Sequence, residues 1–83
     1  MEWSPEFDEI LRRNLPLCTG DVEPDVALAD LGLDSLGTVS LVMELEDGLE
    51  VSIPDDVLVV ETFLTGRALW EVISRLVKEK AHS

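Results

Sequence analysis

One cysteine, one histidine and no tyrosine occur in these 83 residues, and no Lys or Arg stands between Asn14 and Gly66. Each shortage excludes something. A single thiol, Cys18, rules out an internal disulfide, so packing alone must hold the fold. Nothing near Cys18 in the sequence supplies positive charge to activate it. The one imidazole, His82, lies in the terminal tail, so neither Ser35 nor Cys18 has a base for self-contained nucleophilic catalysis. No catalytic residue is assigned. Apolar runs fall far short of the roughly 18 residues of a membrane span, and no signal-peptide pattern opens the chain. A cytoplasmic protein away from membranes is the expectation. Asp21, Glu23 and Asp25 mimic the start of a calcium loop, but Val26 replaces its glycine and Gly32 its last glutamate. No metal site is expected.

What the chain has in excess is negative charge: a net −12, from eighteen Asp and Glu against six Lys and Arg. Twelve of those acids lie in the cation-free stretch from Asn14 to Gly66. Such a field repels nucleic acid and anionic lipid and steers basic protein surfaces towards it. A mean hydropathy of +0.17 and 46% hydrophobic residues argue against a disordered acidic tail. Eighty-three residues make one domain with a small core, about residues 4–78, leaving 79–83 as a frayed end.

Apolar spacing is helical throughout, with no alternating strand pattern. Ser4-Pro5-Glu6 starts a helix over about 5–15, with Phe7, Ile10, Leu11 and Leu15 on one face and Pro16 after it. Residues 16–34 form a long loop, pinned by Val22, Val26, Leu28, Leu31 and Leu33, with room for a helical turn near 25–29. A second helix runs from about Ser35 to Leu49. Leu41, Val42, Leu45 and Leu49 share one arc, Leu36, Val39 and Met43 a neighbouring one, and Glu46 falls between them. That apolar surface is wider than one core-facing stripe needs. Its second arc either packs under the next helix or docks a partner. Pro54 breaks the chain before a short third helix near 55–60, and a last helix follows Thr62 or Thr65 to about Val77. The expected fold is an all-α, four-helix bundle with a long loop after helix 1 and a short third helix. The run Val57-Leu58-Val59-Val60 is expected to be a buried short helix, with a second hydrophobic docking surface as the alternative.

One hydroxyl stands out. Asp34-Ser35-Leu36 follows Leu31-Gly32-Leu33 and opens the second helix. Serine and aspartate both cap helices, so a cap explains one polar residue here, though not the whole pattern. Residues 28–39, Leu-Ala-Asp-Leu-Gly-Leu-Asp-Ser-Leu-Gly-Thr-Val, resemble the attachment motif of the acyl and peptidyl carrier proteins. The likeness continues through Leu41–Glu46 and Val51–Asp56, then more loosely to about residue 77.

The resemblance implies a covalent 4′-phosphopantetheine on Ser35, with Asp34 beside it. A phosphopantetheinyl transferase would bind the acidic face, and the Ser35 oxygen would attack the pyrophosphate of coenzyme A. The arm would carry an acyl or aminoacyl thioester from a loading enzyme, either an adenylating ligase or an acyltransferase. Downstream synthase, condensation or transferase enzymes would receive it. Leu36, Val39, Met43, Glu46 and Asp47 become the partner-binding stripe; Val42, Ile53, Phe63 and Leu69 are candidates for a cargo pocket. Ser40, Glu44 and the apolar 57–60 run depart from fatty-acid carriers, while Glu61–Trp70 looks more like free-standing carriers of natural-product pathways. The expectation is a stand-alone, monomeric carrier serving polyketide or nonribosomal-peptide biosynthesis. Fatty-acid synthesis is the alternative, and a cofactor-free acidic adaptor binding a basic protein is the rival from another class.

Overall fold

The computed structural model describes the backbone of residues 3–82 and the side chains of residues 3–80. Three α-helices, α1 (Pro5–Arg13), α2 (Ser35–Gly48) and α3 (Gly66–His82), alternate with 3₁₀ turns at Leu28–Leu31, Asp55–Val57 and Val60–Phe63. The only sheet-like feature among the described residues is an antiparallel bridge between Ala27 and Thr65. The all-α class is as expected. The short third helix is instead a pair of 3₁₀ turns, because Leu58 (φ −84°, ψ 63°) leaves helical geometry between them.

Helix α1 begins as the sequence dictates. The Ser4 hydroxyl accepts the Phe7 N–H at 3.2 Å, Pro5 takes the first turn, and acids precede bases along the dipole. It ends at Arg13, where the Asn14 side chain turns back to donate to the Ile10 carbonyl at 2.9 Å. Phe7, Leu11, Leu41, Leu45, Leu69 and Ile73 bury almost completely where the three helices meet. The Phe7 ring lies between Trp3, edge-on at 5.1 Å, and Trp70, tilted at 4.9 Å.

Glu44 clamps α2 to α1. Its carboxylate accepts from the Asn14 amide at 2.7 Å and the Arg13 guanidinium at 2.8 Å. The Asn14 hydrogen bond, and after it Arg13, hold the Glu44 carboxyl below the ordinary glutamate value despite partial burial. A carboxyl held low in the fold stabilises it above its unfolded pKa and stops doing so as pH falls through the folded one. Glu44→Gln is therefore expected to cost about 1 kcal/mol at neutral pH. That deficit should shrink below about pH 4.3, which urea midpoints at neutral and acid pH would measure.

The long loop is stitched down. Val22 and Leu28 are buried, the Leu28 N–H donates to the Leu64 carbonyl at 2.9 Å, and the Arg67 N–H donates to the Pro24 carbonyl at 3.0 Å. Arg67 also grips the Asp25 carboxylate through two nitrogens, at 2.7 and 3.0 Å. The loop's helical turn falls at Leu28–Leu31, later than 25–29, and Gly32 closes it in the left-handed region at φ +97°. A Cβ at Gly32 would lie 2.8 Å from the Pro16 ring.

Helix α2 stops where Glu50 turns left-handed (φ 52°) and the Val51 N–H reaches back to the Glu46 carbonyl at 3.2 Å. Thr65, and not Thr62, caps α3, accepting the Ala68 N–H at 3.2 Å. That helix runs on to His82, past the expected end at Val77, and Lys80 helps fix it by reaching Glu50 and the Leu49 carbonyl. Ser83, the last residue of the expected frayed end, lies outside the described residues. No helix among them is long and apolar enough to cross a membrane.

Candidate functional site

Asp34, not Ser35, is the N-cap of α2. Its Oδ1 accepts the Gly37 N–H at 2.7 Å, and its carbonyl accepts the Thr38 hydroxyl at 2.8 Å. Ser35 is left as the first helical residue, solvent-exposed, its hydroxyl without a hydrogen-bond partner among the described residues. Gly37 in the first turn looks wasteful in the sequence. A Cβ there would come within 3.1 Å of Asp34 Oδ1 and 3.3 Å of Leu33 Cδ1, so the glycine makes room for the capping carboxylate.

The two apolar arcs of α2 face different ways. Leu41 and Leu45 are buried, whereas Leu36, Val39 and Met43 are 81%, 59% and 64% exposed. The second arc therefore does not pack under a neighbouring helix. Asp47, also exposed, continues that stripe one turn beyond Met43. Glu46 behaves differently from the stripe. It is half-buried, and its carboxylate accepts the Ile53 N–H at 3.0 Å, tying α2 to the segment after it.

The 57–60 run is not buried as expected. Val57 is half-buried, but Leu58, Val59 and Val60 are 39%, 44% and 73% exposed. Three- and four-residue 3₁₀ turns are too short to bury a whole apolar run. Instead Leu58–Val60 form one wall of an open apolar groove of about 660 Å³, and Val39 and Val42 of α2 form the other. Ser35 sits at its edge. Of the residues expected to hold cargo, Val42 and Phe63 line this groove, while Ile53 and Leu69 go to the core at 8% and 1% exposure. Ala27, Ala29, Leu33 and Leu64 also line it and escaped the sequence reading. The apolar 57–60 run was the one signal pointing there.

Charge around Ser35 stays uncompensated. Of the acids between Asn14 and Gly66, the ion pairs among the described residues take up Asp21, Asp25, Glu44 and Glu50, and none involves Asp30, Asp34, Asp47, Asp55, Asp56 or Glu61. No cluster of three or more ligating side chains fit for a metal occurs among them. The calcium-like acids are split up, Asp21 by Arg12 and Asp25 by Arg67.

A small acidic helical bundle that presents one free hydroxyl at the head of its central helix has the make-up of a carrier domain. The profile of the family described as the phosphopantetheine attachment site matches residues 6–65. The chain belongs to that family, whose cofactor is covalently attached 4′-phosphopantetheine. It is 41% identical over 49 residues to the siderophore peptide synthetase fer3 of Mycosarcoma maydis. The match takes in 58% of this chain and spans 1% of that protein. The fold resembles a chain in the crystal structure of an engineered Bradyrhizobium japonicum glycine:[carrier protein] ligase with a carrier protein from Agrobacterium tumefaciens and AMP. The TM-score is 0.73 at 24% identity, covering 83% of this chain and 95% of that one. The same complex with ATP gives the same score, covering 84% and 94%.

The local chemistry suits the cofactor. A phosphodiester on Ser35 would sit at the positive end of α2, where the Ser35 and Leu36 amides have no partner among the described residues.

Proposed function

We propose that Ser35 is the attachment residue, that the domain carries thioester-bound acyl or aminoacyl groups between enzymes, and that it catalyses nothing itself. The observation that carries this reading is the division of labour at the head of α2: Asp34 caps, so the exposed Ser35 hydroxyl is free to react. In the loading step the Ser35 oxygen forms a new bond to phosphorus while the pyrophosphate bond of coenzyme A breaks. The nucleotide half leaves with the electron pair, and the hydroxyl proton passes to a base of the transferase. The arm supplies a terminal thiol that holds cargo as a thioester.

The exposed stripe of Leu36, Val39 and Met43, ended by Asp47, gives partners an apolar strip inside an unpaired acidic field. Such a surface favours fast, weak encounters with basic enzymes. Glu46 leaves that list for a structural role, since its carboxylate is engaged with Ile53. The groove beside Ser35 is the proposed resting place for cargo. A nonribosomal-peptide pathway with an adenylating ligase as loading enzyme is favoured over polyketide or fatty-acid synthesis. The matches to a siderophore peptide synthetase and to a carrier crystallised with a glycine ligase support that choice. A monomeric carrier acting in the cytoplasm, with no nucleic acid or membrane partner, completes the reading.

A buried or missing Ser35 hydroxyl would favour the acidic adaptor, and Ser35 is exposed. Intact mass after incubation with coenzyme A, magnesium and a promiscuous phosphopantetheinyl transferase tests the proposal. One phosphopantetheine added per chain supports it. No addition to demonstrably folded protein would leave the adaptor as the account of this molecule.

A further inference from the structure

Sulfur is scarce in this chain and unevenly exposed. Cys18 is half-buried, and its thiol is engaged, donating to the Gly20 carbonyl at 3.1 Å. Met43 is the opposite case. Its side chain is 64% exposed on the outer arc of α2, one turn beyond Val39 and one turn short of Asp47. The core takes nothing from it, since α2 serves the core through Leu41 and Leu45 on the other arc. A thioether is an apolar group that peroxide turns polar and that a reductase turns back. Leu36 and Val39, the other apolar members of the stripe, are plain hydrocarbon and offer no such chemistry.

From this we infer that Met43 is a site of reversible oxidation, and that its redox state sets how readily partner enzymes reach Ser35. The inference rests on the reading of Leu36, Val39 and Met43 as the docking stripe and goes beyond it in making that stripe switchable. A lone pair of the Met43 sulfur attacks one oxygen of hydrogen peroxide, and the O–O bond breaks. The second oxygen leaves as hydroxide and takes the proton of the transferred one, giving water. Sulfur thereby loses two electrons and becomes a sulfoxide. A dithiol reductase returns them, releasing the oxygen as water and closing a disulfide. The sulfoxide is strongly dipolar and holds water that docking would have to strip away. The oxidised chain therefore stays folded, while its apolar strip loses the end nearest Asp47.

The test uses the full chain before any arm is attached, so that no arm thiol competes for peroxide. One portion is treated with hydrogen peroxide, and peptide masses locate the added oxygen. The kcat/KM of a phosphopantetheinyl transferase is then measured with coenzyme A and magnesium, each chain being compared with its own untreated sample. Oxidation of the parent at Met43 should lower kcat/KM about fivefold, the effect of spoiling one significant interface residue. The two stereospecific methionine sulfoxide reductases, supplied with a dithiol, should restore it. Met43→Leu keeps Met1 and Cys18 but has no sulfur at the stripe, so its treated and untreated rates should agree. The unfolding midpoint of the parent should be the same before and after oxidation. An unchanged rate on chain oxidised at Met43, an equal loss in treated Met43→Leu, or a fallen midpoint overturns the switch and leaves the carrier role standing. So does a Met43 that gains no oxygen while free methionine in the same tube is oxidised. Failure of the untreated chain to accept any arm overturns the carrier role, and the inference falls with it.

Discussion

A Ser35→Ala chain incubated with coenzyme A, magnesium and a promiscuous phosphopantetheinyl transferase is expected to keep its original mass, while the parent chain gains a single arm. The effect is all-or-none because the variant removes the atom that forms the new bond, and no neighbouring hydroxyl is equivalent. Thr38, the nearest along the helix, donates to the Asp34 carbonyl at 2.8 Å. The same variant should leave stability within about 0.5 kcal/mol of the parent, because Ser35 is exposed and makes no side-chain hydrogen bond among the described residues. Asp34→Ala separates the two roles from the other side. It removes the bond to the Gly37 N–H, costs about 1 kcal/mol as a lost cap, and leaves the nucleophile in place. Its modification should slow as the helix head frays, and should still reach completion. An arm appearing on folded Ser35→Ala would overturn the assignment of Ser35 outright.

How far this was legible in the sequence depended on whether a feature had a period or a cap to read. Helix α1 announces itself through Ser4-Pro5-Glu6, and the two arcs of α2 separate on a helical wheel because Glu46 lies between them. The 57–60 run has neither. Four consecutive apolar residues fit a buried helix as well as an exposed turn, and only the backbone break at Leu58 decides between them. Residue type alone likewise could not sort Val42 and Phe63, which line the groove, from Ile53 and Leu69, which fill the core. Ala27 and Ala29 are harder still. They reach the groove because Arg67, forty residues on, grips Asp25 and pulls the long loop against α3. That contact leaves no local trace in the chain. Glu46 hides a contact for a related reason: an acid at the edge of an acidic stripe looks like rim, and its bond to a backbone amide seven residues away leaves no local signal.

Phe7→Ala should produce the largest loss of stability, and its contrast with Leu36→Asp separates what holds this fold from what it presents. Phe7 is fully buried between two tryptophan rings. Truncating such a residue costs about 3–5 kcal/mol in transfer and cavity energy. A chain of this length has on the order of 4–12 kcal/mol in all. The midpoint of thermal unfolding should fall by about 15–30 °C, and emission from Trp3 and Trp70 should report the loosened cluster. Leu36 is the opposite case, apolar yet 81% exposed. An aspartate there breaks no packing and places a negative charge in the first turn of α2, so the helix dipole makes the change neutral or slightly stabilising. Modification at Ser35 should nevertheless slow, with kcat/KM for the transferase reaction falling about tenfold if one apolar anchor of the encounter is lost. A leucine retained for folding would show the reverse, a falling midpoint with unchanged modification. Measuring both quantities on both variants therefore decides whether the exposed stripe of α2 is a docking surface.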